Sequence, residues 1–587
     1  MRRLGARVLV AVAVAGILLP AVAVRPAAAA GGFTFHGSGY GHGIGMSQWG
    51  AYGLAQMGWG HRQVLRHFYR GTDVDTSSSL PSSIRVGLTS GRTVVHLTAQ
   101  AGPVRLWEGS AKTGTFIGAL QPGKTWSVVA KDRAWAIRTG AGALVGGHLW
   151  GGPNTELIVT YADQGSRVFI PEADAIWYKG FSYARGTIEM NLTSCGDANG
   201  CVERVIARLR FEDYLLGLGE VPASWPMEAM RAQAVAARTY AAYALKHYGR
   251  RAECNCDISD GASDQTYIGY TREGGTDGDR WVKAASSTRG EIVTYHGNVI
   301  QAFYAASDGG HSDSVEDVWH GGDPAYAIPW LTGVCDPGES TGANPWTDWT
   351  KSVSASEASA RLAPYTGSIG TIQRFGPIRR GEGGRIISAV AVGSNGSARV
   401  SGTQMKSAFG WYDERVWINS DRTVRGRIRE SYDRLGCRPG LPTSPQRSVR
   451  GGAQQFFETG GLYVNEAADL TVWLRGPIDR EFRAVGAATG VLGVPAGKPT
   501  ALRQRSTSCT GCKRVAFVGG RIYFSSTAGA HALWGNVLET YLDHGGAGGP
   551  LGMPRSRVAA RDAGGVRARF EHGRIACAGG SCTVSVG

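Results

Sequence analysis

Between residues 83 and about 170, apolar and polar positions alternate in short runs such as Ile84-Arg85-Val86-Gly87-Leu88 and Thr93-Val94-Val95-His96-Leu97, punctuated by Gly, Pro and Ser. A period of two broken by turn residues predicts antiparallel strands. Two further runs, 186–190 and 204–208, predict a hairpin whose tip carries Cys195 and Cys201. The pattern then changes: residues 226–247 are Ala-rich and, after Pro226, free of Gly and Pro. Ala229, Ala232, Ala236, Tyr240 and Tyr243 recur at helical spacing, Ser224 and Pro226 supply a start, and Gly249 a stop. Strands are expected again over 291–295, 299–304 and 385–392, with Gly/Asp-rich loops at 271–280 and 309–323 and a short helix over 352–362.

The C-terminal part repeats. Phe457…Gly460-Gly461-Leu462-Tyr463 returns as Phe517…Gly520-Arg521-Ile522-Tyr523 and as Phe570…Gly573-Arg574-Ile575. Each copy is preceded by a turn ending in Pro, at Pro442, Pro495 and Pro554, and opens with a helical stretch such as 534–542. These units resemble LGFP repeats, small modules of actinobacterial envelope proteins. The first copy is degenerate at its Leu-Gly step and the last lacks the Tyr after Ile575. Such an array is expected to bind or anchor rather than catalyse.

Length and charge sharpen this picture. A chain of 587 residues calls for several cores, and its 87 glycines fit many short strands and tight turns. Arg2, Arg3 and Arg7, an apolar stretch from Leu9 to Ala23 and the small residues Ala28 to Ala30 have the order of a cleavable signal peptide. Arg25 and Pro26 cut the apolar run short of the ~20 residues a spanning helix needs. Removing it lowers the formal charge from +15 to about +11. Outside a cell that charge faces wall polymers and headgroups, so nucleic acid is not an expected partner.

Ten cysteines in an exported chain predict disulfides. A local Cys195–Cys201 bridge is expected, while Cys254, Cys256, Cys335 and Cys437 allow several pairings. Cys509, Cys512, Cys577 and Cys582 have the types for a four-thiolate zinc site, against which two small disulfide loops are favoured.

One continuous string carries chemistry. Glu212-Asp213-Tyr214-Leu215, then Gly219-Glu220-Val221-Pro222-Ala223-Ser224-Trp225, then Ala232-Gln233-Ala234-Val235-Ala236-Ala237-Arg238-Thr239-Tyr240 resembles the signature of the SpoIID/LytB family, which includes a sporulation lytic transglycosylase and an amidase enhancer. Ser307-Asp308-Gly309-Gly310-His311 resembles that family's Ser-x-Gly-Gly segment. Gly39-Tyr40-Gly41-His42-Gly43-Ile44-Gly45-Met46-Ser47-Gln48-Trp49 is a second signature. In most relatives it closes the domain, whereas here it stands at the front. Circular permutation accounts for this, with residues 33–72 docking near Trp417. The expected architecture is α+β: a signal peptide (1–30), the permuted Gly-His-Gly segment (31–72), a strand-rich domain built around one long helix (73–425), and an LGFP-like array (426–587).

The resemblance implies that Glu220 transfers the proton in glycan cleavage. A carboxylic acid held protonated near neutral pH can protonate the leaving oxygen. The same group, as carboxylate, then takes the proton of the 6-hydroxyl of N-acetylmuramic acid, closing a 1,6-anhydro ring without cofactor or metal. Leu218, Val221 and Trp225 supply apolar neighbours, while the dipole of the helix after Pro226 favours the charged form. The structural alternative is that Glu220 caps that helix. Many relatives have Ser-Glu-Met-Pro where this chain has Gly219-Glu220-Val221-Pro222.

Secondary candidates for substrate contact are Arg238, His42, Ser47, Gln48, Ser307 and His311. Arg238, among alanines, pairs inward with a carboxylate or a sugar substituent. His42, Ser47 and Gln48 lie in a Gly-rich loop that either approaches a saccharide or only turns tightly. Cys254 and Cys256 with His311 or His247 form the one zinc candidate near Glu220, and disulfides compete for the thiols. No metal is expected. The expected partners are peptidoglycan strands, a cell-wall amidase, and envelope polymers through the repeats. Three readings follow for a secreted, wall-associated protein: a lytic transglycosylase, a non-catalytic amidase enhancer, and an adhesive wall protein.

Overall fold

The structure, a computed structural model, describes residues 31–587 except 153, 176–177, 194–201, 503–510 and 562–563. The expected signal segment, the Cys195–Cys201 tip and Cys509 lie outside the described residues. Helices and many strands combine as the α+β reading expects. Among the described residues, no helix is long and apolar enough to cross a membrane.

The alternating region forms two sheets. One runs Ile258–Ser259, Ser83–Arg92, Val202–Arg210, Thr187–Thr193, Leu157–Tyr161, Val104–Glu108 and Thr115–Leu120; the other contains Val94–Ala101, Thr125–Lys131, Ala134–Thr139 and Arg167–Ala175. The predicted hairpin is present, with Ile188 opposite Ala207. Inward residues of both sheets, such as Val86, Leu97, Val128 and Ile188, share one core. That core continues onto the helix Met227–His247 through Ala229, Met230, Ala234, Ala237 and Ala241.

The same helix buries a second face. Ala232, Val235 and Ala236 pack in another core with Ile44, Leu54, Val64 and Phe68, so the N-terminal segment lies directly on it. Small side chains permit this close two-sided approach, and adding methylenes there would strain the packing by about 1–3 kcal/mol.

The first strand, Phe33–Gly37, fixes where that segment starts. It lies between Trp349–Val353 and Val416–Ile418, pairing Phe35 with Ile418 and His36 with Trp417. Phe33 and Phe35 enter a third core with Leu362, Met405 and Phe409. The segment is thus docked where its sequence suggested, beside Trp417.

Several expectations need correction: the 309–323 loop holds the short helix Val315–Trp319, and the helix expected over 352–362 runs Ala355–Thr366 because residues 352 and 353 end the strand Trp349–Val353. The 299–304 strand is broken into Asn298–Val299 and Tyr304–Ala305, because Phe303 turns its carbonyl to Met46 N–H and the Tyr69 hydroxyl. The 271–280 loop instead holds a helical turn, Tyr270–Glu273, and the start of the helix Gly278–Ser287.

The repeats are three copies of helix plus four-stranded sheet. The helices are Gly426–Arg434, Gly476–Ala484 and Gly535–Asp543. Pro442, Pro495 and Pro554 make the same bridge to Phe457, Phe517 and Phe570. Cores straddle neighbouring copies, as Tyr463 of the first unit packs on Phe482 of the second. The array is not separable at Arg427: Cys335–Cys437 ties the first copy to the preceding domain, and Arg425 pairs with Asp348. Cys577 pairs with Cys582 and Cys512 is disulfide-bonded, so these thiols are not a zinc set.

Candidate active site

Glu220 lies on the segment joining the helix Phe211–Leu216 to Met227–His247. Its backbone is held against residues 266–268 by Gly219 N–H to Thr266 O at 2.8 Å and Ile268 N–H to Gly217 O at 2.9 Å. A Cβ at Gly219 would stand 2.9 Å from Ile268 Cδ1, so the serine that many relatives carry would require the Ile268 side chain to shift. Pairing also aims Thr266 N–H at Glu220 Oε1, 2.6 Å away.

From the other side comes Gln48, 172 residues earlier, whose amide donates to Glu220 Oε2 at 3.4 Å and to Gln233 Oε1 at 3.3 Å. Ser47 makes this possible by capping the helix Gln48–Gln56 through Gly50 N–H. Tyr304 also hydrogen-bonds Glu220, its own oxygen accepting from Gln265 at 2.8 Å. Burial nevertheless wins over these donors and raises the Glu220 carboxyl above the ordinary glutamate value.

Glu220 opens into a cleft of about 480 Å³ lined by Tyr40, His42, Gln48, Tyr240, Asp264, Thr266, Phe303, Tyr304 and Trp319. Trp319 lines the cleft, is 42% exposed and packs against His42 and Phe303. The second carboxylate, Asp264, is consumed by structure. Arg251 holds it with two 2.6 Å contacts, and Ser259 N–H, Ser259 Oγ and the Tyr240 hydroxyl complete its shell. Burial pushes Asp264 up, but Arg251 and Ser259 outweigh it and hold it below the usual aspartate value. The cleft therefore pairs one carboxyl tuned toward protonation with one locked as an anion.

The structure sorts the other candidates. Gln48 and His42 reach the cleft. His42 is a neutral ring: burial, Lys406 and Arg385 depress it to about 3, Nδ1 accepts from Ile44 N–H, and the ring also bonds the Tyr304 backbone. It shapes the loop rather than moving protons.

Four expected contacts are corrected. Ser47 and Ser307 are buried and donate to Glu339. Arg238 is fully buried, with its guanidinium on Glu212 and the carbonyls of Glu291 and Ala285. His311 is buried beside Cys335, bonded to Ser312 O, and depressed to about 4 by burial. None of these four lines the cleft around Glu220. The capping alternative also fails, because the long helix has Pro226 as its N-cap and no side-chain cap bond. Cys254 and Cys256 are joined to each other, which removes the proposed zinc thiols.

Sequence reasoning missed Asp264, Thr266, Phe303, Tyr304 and Trp319 as cleft residues. Tyr240 was legible only as part of a helix face.

Residues 201–295 match SpoIID, described as Stage II sporulation protein, and residues 492–549 match the LGFP repeat. An uncharacterized protein of Brachyspira hyodysenteriae is 36% identical over 166 residues, 28% of this chain and 41% of that protein. The amidase enhancer of Bacillus subtilis is 29% identical over 147 residues, 25% of this chain and 17% of that one. Stage II sporulation protein D of the same organism is 29% identical over 175 residues, 28% and 48% of the two chains. The chain spans less than half the length of each of these relatives. It combines a SpoIID domain with LGFP repeats.

Proposed function

From a SpoIID domain joined to LGFP repeats, we propose an exported, wall-associated protein that cleaves peptidoglycan glycan strands as a lytic transglycosylase. The observation that carries this reading is the single tuned acid. Hydrolysis with two carboxylates needs a second free carboxylate across the bond, and Asp264 is fully engaged with Arg251, Tyr240 and Ser259. One acid suffices when the sugar supplies the nucleophile. Glu220, protonated, gives its proton to the glycosidic oxygen as the C1–O bond breaks. Its carboxylate then takes the proton of the muramic acid 6-hydroxyl as that oxygen bonds C1. The acid is regenerated and the product end is a 1,6-anhydro ring. Thr266 N–H, Gln48 and Tyr304 orient the carboxyl, and Trp319 offers a sugar-stacking face.

The repeats would hold the protein to anionic envelope polymers. Purified sacculi incubated with the protein and analysed by mass spectrometry test the reading: anhydro ends are expected. A second reading, an amidase enhancer that binds without cutting, draws on the likeness to the Bacillus subtilis amidase enhancer. Stimulation of an amidase with no anhydro product from any glycan would replace the first reading by the second.

A further inference from the structure

Behind the helix that carries Gln48, three carboxylates meet in the interior. Asp308 comes from the Ser-Asp-Gly-Gly-His loop; Asp336 caps the 3-10 turn Pro337–Ser340, and Glu339 lies within that turn. Their exposures are 1%, 0% and 0%. One oxygen from each lies within 4.8 Å of the others, a spacing that one cation with oxygen ligands at about 2.3–2.6 Å can bridge.

Their hydrogen bonding is unequal. Glu339 is held by Ser47, Ser307, Asn344 and Asp308 N–H. Asp308 Oδ1 accepts from Gly310 N–H and Asp336 Oδ1 from Gly338 N–H, both within the local turn. The Oδ2 atoms of Asp308 and Asp336 are buried with no hydrogen-bond partner. Nearby guanidiniums hydrogen-bond these residues only at the backbone, Arg385 on Asp308 O and Arg429 on Asp336 O. Arg385 binds Asp313 and Asp413, Arg429 binds Asp433, and Arg415 binds Ser38 and the carbonyls of Gly309 and Gly383.

We propose that Asp308, Asp336 and Glu339 bind one hard divalent cation of the calcium class, which fastens the Gly-His-Gly segment to the body of the domain. Carboxylate-only ligands select such an ion over zinc or copper. Two buried oxygens without hydrogen bonds, in a group of three carboxylates, are offset by Arg385, Arg415 and Arg429 only at a distance, which leaves a bound cation or protons to complete the compensation. Burial, then repulsion from Glu339, pushes Asp308 well up; burial, then Asp308 and Glu339, does the same to Asp336. A divalent ion removes that repulsion directly. Ser47 links the site to the cleft, because it donates to Glu339 and caps the helix that begins at Gln48.

The test uses the full chain stripped with a chelator and dialysed, then titrated with calcium chloride, with magnesium chloride as a parallel arm. Metal content by mass spectrometry and the melting temperature are read together. The proposal expects about one tightly held ion per chain and a rise of roughly 3 °C or more at saturating metal. Asp308→Asn and Asp336→Asn keep the side-chain shape while removing charge. Each is expected to lose the bound ion and the metal-dependent rise, yet melt no lower than the stripped wild type. A wild type that takes up neither metal and melts identically in metal and chelator overturns the proposal, as does undiminished uptake by both variants. If a variant fails to fold, wild-type metal content and melting decide alone. Neither readout depends on glycan cleavage.

Discussion

Two hollows of similar size occupy the two halves of the chain and have opposite electrostatics. The Glu220 cleft, about 480 Å³, is lined by aromatic rings and two carboxylates and by no arginine or lysine. The groove between the first two repeats, about 530 Å³, is lined among the described residues by Arg434, Arg438, Arg475, Lys498 and Lys513 and by no carboxylate. Trp473 forms its floor, with the Arg438 and Arg475 guanidiniums 5.9 and 4.9 Å from the ring centroid. The separation has a physical reason. Cations beside Glu220 would stabilise its carboxylate and undo the upward shift that general-acid chemistry requires. On the proposed function, gripping anionic polymer and holding a protonated acid are both served by keeping them in different places.

The largest effect expected from this division is at Glu220. Glu220→Gln keeps the shape and can still accept from Thr266 N–H, but it cannot shuttle a proton. Anhydro product should fall by roughly 10²-fold or more, read by mass spectrometry of digested sacculi, with glycan binding retained. Stability should move the other way. A carboxyl whose folded pKa is raised contributes stability below its unfolded value and loses it as pH rises through the folded value. That contribution falls as the pH rises past the ordinary glutamate range, whereas a Gln side chain has none to lose, so the Gln variant should gain in melting temperature relative to wild type as the pH is raised. Lower melting with unchanged product would make Glu220 a structural residue.

The pH profiles sharpen the contrast. Cleavage needs protonated Glu220, so its alkaline limb should lie above the ordinary glutamate range because burial raises that group. Binding by the isolated groove function should be flat between about pH 5 and 8, since no histidine or carboxylate lines it. Salt should reverse the ranking: added salt should weaken envelope binding strongly and cleavage of short glycans little. Arg475→Glu combined with Lys498→Glu should reduce co-sedimentation with envelope fragments several-fold at low salt and leave anhydro chemistry on short glycans intact. Equal loss of both activities would mean that the two hollows are not independent.

How far the sequence revealed each half differs for the same reason that the halves differ. The repeats are local: each Pro-to-Phe bridge joins residues 15 to 22 apart, so three copies of one pattern were legible without a fold. The cleft is assembled from afar. Glu220 was found through its signature string, but Gln48, Thr266 and Tyr304 reach it from three other segments, and no local periodicity links them. The helix Gln48–Gln56 shows a second obstacle. Gly50 and Gly53 each disfavour helix by about 1 kcal/mol, so the local pattern reads as loop. Their absent side chains are what tertiary packing needs: a Cβ would stand 1.8 Å from Asp336 Oδ2 at Gly50 and 2.0 Å from Gly338 O at Gly53. Ser47 and Ser307, in turn, were recognised as unusual polar residues in a signature, but their burial on Glu339 gives them a structural task.

The smallest effect belongs to Glu228, the carboxylate nearest to Glu220 on the long helix, and it separates a cleft acid from a structural one. Sequence alone suggests that its replacement does little. The structure gives it work: Oε2 accepts from His61 N–H and contacts His61 Nδ1, and Oε1 pairs with Arg231. Because Gly60 offers no side chain to cap the helix His61–Phe68, Glu228 serves as its cap from outside. Glu228→Gln should therefore cost about 1 kcal/mol, the usual worth of a cap, measured by denaturant unfolding at pH 7. Burial raises this carboxyl, but His61 and Arg231 outweigh it and hold it below the ordinary value. A depressed group contributes stability above its unfolded pKa and loses it as pH falls through the folded one. The difference between Glu228→Gln and wild type should thus be full at neutral pH and shrink as the pH drops below the ordinary glutamate range. Anhydro product from the folded variant should match wild type. A Glu228→Gln enzyme as inactive as Glu220→Gln, with stability intact, would place a second working acid in this domain and end the single-acid reading of the cleft.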